Sequence, residues 1–240
     1  MKLLASDYDN TLNVGDSTHI LKVNIKAING FVKQNKFALN TGRSYESIKH
    51  EIHKIKRIHH LDFNYDYLSC CDGNLILNKY DGVIYCTRLD NDIKRSMIWL
   101  EKKHGVTINP IMYDGQLLEY EIIAPVRDVS LEISLYKICE AFELSRKEVY
   151  AHQLSKWCVK EERHIYVGQI DVTKSSAVQR ISQLEKVRKC DIFTIGDEFN
   201  DIEMLETYNG YTFPWCRSEV KNVSKGRCLS VASLIKKISR

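Results

Sequence analysis

The sequence predicts an α/β fold, a Rossmann-like parallel sheet core with helices on both faces and an inserted α+β module. Three observations lead there. Short strand-like apolar runs alternate with helix-periodic stretches at both ends of the 240-residue chain, which is the grammar of βαβ units. From about residue 75 that alternation gives way to two Asp-Gly turns set between apolar runs, the local signature of antiparallel hairpins. From about residue 165 the alternation resumes.

In order along the chain, KLLAS (2–6), KFALN (36–40) and YLSCC (67–71) read as strands, with helices expected near 19–34 and 44–60. In the second helix Ile48, Ile52, Ile55 and Ile58 keep the three-and-four spacing of one buried stripe, and His50, His53, Lys54 and Arg57 read as a solvated basic face. LILNKYDGVIYC (75–86) and INPIMYDGQLLEYEII (108–123) are the two hairpins, and helices near 90–103 and 129–142 follow one hairpin each. HIYVGQI (164–170), a helix from about 174 to 187, DIFTIG (191–196), a short helix near 200–206, GYTFP (210–214) and a last helix near 230–239 complete the alternation. The expected division is a core of 1–76 and 166–240 with an insert at 77–165.

Composition narrows the function classes. With 44% hydrophobic and 28% charged residues the chain reads as an ordinary globular protein. No apolar run approaches the ~18 residues of a membrane span, and Asp7 interrupts the apolar N-terminal stretch, so a cytoplasmic protein without signal peptide or membrane partner is expected. The net charge of +4 is spread along the chain, which disfavours nucleic-acid binding and supports a mild attraction for small anions. The eight cysteines include no CxxC pair and read as reduced, mostly buried thiols. Cys70 and Cys71 are expected on opposite faces of a strand.

The candidate chemistry lies in the carboxylates. Asp7 and Asp9 follow the first strand, and residues two apart in an extended segment point the same way, about 6.5 to 7 Å apart. Open α/β sheets bind ligands beyond the carboxyl ends of their strands. FTIGDEFNDIEML (193–205) ends another strand in Gly196-Asp197 and places Asp201 four residues on, so a helical turn there gives both acids one face. Such a cluster costs on the order of 4 kcal/mol per like-charged pair at ~4 Å and needs a cation. A few hard oxygen ligands without Cys or His suit Mg²⁺, whose usual further partner is phosphate. LNTGRS (39–44) offers the Thr41 hydroxyl and the Gly42 backbone to phosphoryl oxygens. DVTKSS (171–176) opens a helix with Lys174, where the dipole disfavours a cation. Taken singly, Thr41 also reads as a plain N-cap and Lys174 as a solvated lysine.

These four segments, in this order, resemble the haloacid dehalogenase (HAD) superfamily. The matching motifs are DxDxT at 7–11, Thr41 after the second strand, Lys174 opening a late helix and GDxxND at 196–201. CCDGN (70–74), followed by an insert before the lysine, is similar to the Cof-type branch with a type C2 cap. The resemblance implies that Asp7 attacks phosphorus and forms an aspartyl-phosphate, and that Asp9 protonates the leaving oxygen and later activates water. It also implies a metal held by Asp7, the Asp9 backbone carbonyl, Asp197 and Asp201, with Thr41, Lys174 and Asn200 on the phosphoryl group. Gly42 and Arg43, directly after Thr41, are further candidates for binding the substrate phosphate by their position. Asp9 argues against a dehalogenase, because halide leaves without a proton. Asn10 stands where the family most often has Gly, and Asn tolerates the left-handed backbone such a turn requires.

The implied activity is Mg²⁺-dependent hydrolysis of a small phosphorylated metabolite, with a sugar phosphate ahead of a nucleotide or cofactor phosphate, by a monomer or homodimer. A phosphosugar mutase and a non-catalytic phospho-ligand-binding protein are the alternatives. Within the insert, Arg88, Lys94, Tyr113 and Arg127 are candidates for touching the leaving group and equally read as surface residues.

Overall fold

Four consecutive residues, Leu3–Ser6, form strand β1 and are buried at every position, because helices cover both faces of a central parallel strand. Helix α1 (Thr18–Phe31), N-capped by Ser17, returns the chain to β2 (Lys36–Asn40), parallel to β1 with Lys36 opposite Leu3. Helix α2 (Tyr45–His59) leads likewise to β3 (Tyr67–Cys70), parallel to β2. The protein is represented here by a computed structural model that describes residues 1–15, 17–125, 127–155 and 158–239, with the backbone alone for 149–155 and 158–162.

Two local expectations are corrected in this stretch. The α2 stripe ends a turn early: Ile48 and Ile55 are buried, whereas Ile58 is 50% exposed on a final turn whose Lys56 and Arg57 also face solvent. Cys71 is not a strand residue. It begins the tight turn after β3 with φ 50°, so it and Cys70 do not point to opposite faces of a strand, although both are buried. Among the described side chains the cysteines are free thiols, and the Cys158 side chain lies outside those described.

β4 (Leu75–Asn78) runs antiparallel to β3, and β5 (Val83–Cys86) lies next to β4. This hairpin, with Asp81 in the left-handed region at its turn, covers the open edge of the parallel sheet and does not open the insert.

The chain divides into two compact units, Met1–Tyr85 with Thr173–Arg240, and Cys86–Val172. The second unit contains α3 (Ile93–His104), β6 (Thr107–Tyr113), β7 (Gln116–Ala124), α4 (Val129–Ala141), β8 (Leu144–Ser155) and β9 (Cys158–Gln169). Its four strands form an antiparallel sheet in the order β6-β7-β9-β8. Ile93, Met97 and Leu100 of α3 and Leu131, Leu135 and Ile138 of α4 pack with Tyr120, Ile122, Ile165 and Val167 into that unit's own core.

The first unit is completed by α5 (Lys174–Leu184), β10 (Ile192–Ile195), α6 (Ile202–Thr207), β11 (Asn209–Thr212), α7 (Ser218–Val223), β12 (Gly226–Arg227) and α8 (Val231–Ile238). α7 and β12, of six and two residues, are too short to show a periodicity in the sequence. The strand order is β12-β11-β10-β1-β2-β3-β4-β5, with the first six paired in parallel. Ala177, Val178 and Ile181 of α5 pack against Leu3, Ala5, Ala38 and Ile192 on one face, and α1 packs with α8. The chain leaves β1 toward β2 and comes back on its other side at β10, which opens a crevice at the carboxyl ends of β1 and β10. Among the described residues no helix is long and apolar enough to cross a membrane.

Candidate active site

Asp7 is the first residue past β1, and its N–H donates to the Ile195 carbonyl at 3.0 Å, which ties it to the end of β10. The chain then turns sharply, with Asn10 at φ 54° and the Asn13 N–H donating to the Tyr8 carbonyl at 2.8 Å. Because β1 stops at Ser6, the period-two geometry expected for Asp7 and Asp9 does not apply. The Asp7 carboxylate is buried and meets Lys174, whereas that of Asp9 is 47% exposed and meets Arg43.

Beyond β10, Gly196 makes room for Asp201. A Cβ at residue 196 would lie 2.3 Å from the Asp201 Cγ, so only glycine fits. Asp201 is buried, and its Oδ2 accepts the N–H groups of Asp197 and Glu198 at 2.9 and 3.1 Å. Its Oδ1 accepts from Lys174 Nζ at 2.8 Å, and the same Nζ donates to Asp7 Oδ1 at 2.7 Å. Lys174 is itself 2% exposed at the first turn of α5. That turn is held by Asn40, whose Nδ2 donates to the Lys174 carbonyl at 2.9 Å. Thr11 Oγ1 donates to Asp197 Oδ1 at 2.6 Å. Carboxylate oxygens of Asp7, Asp197 and Asp201 all lie within 4.8 Å of one another.

The electrostatics follow from three acids around one ammonium. Burial pushes the Asp7 carboxyl well above its usual range, with Asp201 and Asp197 adding to the shift and Lys174 opposing it. Burial, reinforced by Asp201 and Glu198, pushes Asp197 up to about 7 against the Thr11 hydrogen bond and Lys174. For Lys174, burial opposes the charge, but Asp201, Asp7 and Asp72 outweigh it and keep the ammonium charged. With all three acids ionised, their charge exceeds what Lys174 neutralises, and the raised Asp7 and Asp197 carboxyls are the response to that excess and to burial. Its donors are hard carboxylate oxygens without Cys or His, a set that fits a hard divalent cation.

Thr41 lies buried just past β2, and its Oγ1 accepts the Arg43 N–H at 3.2 Å. Gly42 passes close to Asp72, whose Oδ1 would lie 3.1 Å from a Cβ at residue 42. Asn200 Nδ2 donates to that same Oδ1 at 3.0 Å. The first unit thus brings together Asp7, Asp197, Asp201 and Lys174 directly, and Gly42, Asp72 and Asn200 as a neighbouring group.

The sequence pattern of the haloacid dehalogenase-like hydrolases matches residues 4–123 and 119–226. The chain belongs to this family. An uncharacterised protein of Mycoplasma capricolum subsp. capricolum is 21% identical over 237 positions, covering 86% of this hydrolase and 88% of its own length. A sugar phosphatase of HAD subclass IIB has the same fold at TM-score 0.72, with 15% identity over 100% of this chain and 98% of its own. A HAD-superfamily phosphatase from Bacteroides thetaiotaomicron has TM-score 0.72 and 17% identity over 100% and 94%. A haloacid dehalogenase-like hydrolase from the same organism has TM-score 0.73 and 15% identity over 100% and 98%.

The residue pattern does not single out Asp72 of CCDGN, which in this hydrolase stands beside Gly42 and Asn200. The turn after β3 folds back on the loop after β2, with the Cys71 and Asp72 N–H groups donating to the Arg43 and Thr41 carbonyls at 2.9 and 3.0 Å. Asp72 sits at φ 52°, and an Asp-Gly pair directly after a strand was the available signal. In the second unit Arg88, Lys94 and Arg127 are exposed and Tyr113 is half-buried.

Proposed function

We propose that this hydrolase is a Mg²⁺-dependent phosphatase acting on a small phosphorylated metabolite, a sugar phosphate ahead of a nucleotide or cofactor phosphate. The observation that carries the reading is the meeting of Asp7, Asp197 and Asp201 around Lys174 at the carboxyl ends of β1 and β10. The fold shared with a subclass IIB sugar phosphatase supports it. The second unit, Cys86–Val172, is read as the inserted cap.

In this reading Asp7 attacks phosphorus, and the leaving oxygen departs with a proton from Asp9. Water then attacks the aspartyl-phosphate and gives its proton to Asp9, so the acid of the first half is the base of the second. Lys174, the Thr41 hydroxyl, the Gly42 backbone and Asn200 would hold the phosphoryl oxygens. Asp7, Asp197, Asp201 and the Asp9 backbone carbonyl would hold Mg²⁺, which when bound neutralises charge on the phosphoryl group. The test is phosphate release from p-nitrophenyl phosphate with and without Mg²⁺. Turnover that requires the metal and is lost in Asp7→Asn is expected. Wild-type protein that releases no phosphate from this ester or from a broad panel of phosphometabolites contradicts the reading.

A further inference from the structure

We infer that Arg43 is a positioning residue for Asp9, setting the carboxylate that exchanges the leaving group's proton, and is not a ligand of the transferring phosphoryl group. The inference deepens the proposed phosphatase reaction and rests on it. Arg43 Nε donates to Asp9 Oδ2 at 2.8 Å and Nη2 to Asp9 Oδ1 at 2.7 Å, a two-point fork that fixes both the place and the plane of the carboxylate. Nη1 is turned the other way and donates to Ser47 Oγ at 3.1 Å, on the first turn of α2. The guanidinium lies over the ring of buried Tyr8, 5.5 Å from its centre, and the Tyr8 hydroxyl donates to Glu51 Oε2 at 3.4 Å, one turn further along the same helix.

The backbone of Arg43 is fixed as well. Its N–H donates to Thr41 Oγ1 at 3.2 Å and its carbonyl accepts the Cys71 N–H at 2.9 Å. Asp9 needs such a support. Its side chain is 47% exposed, it stands next to the left-handed turn at Asn10, and among the described residues no other side chain holds its carboxylate. The side-on edge of the guanidinium, its face and its far nitrogen are thus engaged by Asp9, Tyr8 and Ser47. A general acid or base works only when its carboxyl oxygen lies within hydrogen-bond reach of the oxygen it serves. Arg43 supplies that placement from the loop before α2, braced by Ser47 on the first turn of the helix.

The experiment is a series of substituted phenyl phosphates of one shape, from p-nitrophenyl phosphate to phenyl phosphate, whose phenolate leaves from a group of pKa about 10 and so depends more on a proton donor. Arg43→Lys keeps the charge and loses the fork. Ser47→Ala keeps Arg43 and removes one brace. General acid catalysis contributes about 10² to 10⁴-fold, so kcat of Arg43→Lys should fall at least about tenfold further on phenyl phosphate than on p-nitrophenyl phosphate, with KM little moved. Ser47→Ala should show the same steepening with leaving-group pKa to a lesser degree, and Asp9→Asn sets its upper limit. Equal losses along the series, or a rise in KM with kcat kept, assign Arg43 to the phosphoryl group and overturn the inference. If Arg43→Lys fails to fold, Ser47→Ala decides by the same slope. Wild-type protein inactive on every ester overturns the reaction itself, and the inference with it, a result distinct from an active wild type with parallel losses.

Discussion

In the first unit Asp7, Asp197 and Asp201 face one another around one lysine, while in the second unit Glu121 faces donors. Its Oε1 accepts from His164 Nδ1 and from the Tyr166 hydroxyl, each at 3.0 Å, and its Oε2 from Asn109 Nδ2 at 3.1 Å. Burial would raise the Glu121 carboxyl, but those three partners outweigh it and hold the pKa below the usual value, whereas Asp197 is pushed up to about 7. Both places take carboxylates at least partly out of water, and the neighbours decide the outcome. Acids surrounded by donors are satisfied as they stand. Acids surrounded by acids hold free energy that a bound cation can release.

The widest separation between the two regions is expected on removing Lys174. Lys174→Met leaves Asp7 and Asp201 buried without their ammonium, and loss of one partner of a buried ion pair costs about 3–5 kcal/mol. Urea unfolding in the absence of divalent ions measures it. A loss below about 1 kcal/mol would mean that these acids are already protonated and that the comparison fails.

A smaller effect is expected for Glu121→Gln, about 1 kcal/mol at neutral pH for the hydrogen bonds weakened. The sign with pH sharpens the contrast. Glu121 has a depressed folded pKa, so its contribution is present above the unfolded value of about 4.3 and disappears as pH falls through the folded one. Wild type and Glu121→Gln should therefore converge in thermal unfolding on acidification. Asp197 is raised, so its penalty is absent below the unfolded value and complete above about 7. Metal-free protein should accordingly gain stability in the first unit as pH falls from about 8 to 5.

Much of this was legible from residue order. KFALN marked β2 to the residue, and GDEFND and VTKSS placed Asp201 and Lys174 on segments that meet. Asn10, of a residue type that tolerates the left-handed region, adopts it. What escaped depends on tertiary neighbours. An Asp-Gly turn reveals that the runs of 75–86 pair with each other but not which sheet takes them, and the open edge of β3 took them. The Asp-Gly pair after β3 marks a turn, but that Asp72 stands beside Gly42 and Asn200 follows only from the loops after β2 and β3 lying together. Asp9 could not be given its partner from spacing alone, because the strand ends before it.

Thermal unfolding of the full chain over a Mg²⁺ titration, with Asp197→Asn alongside wild type, tests the central claim most directly. The account predicts a midpoint for wild type that climbs with Mg²⁺, worth about 2.7 kcal/mol at a hundredfold excess over Kd, and a response largely lost in Asp197→Asn. An unchanged wild-type midpoint, or an equal rise in both proteins, would contradict it.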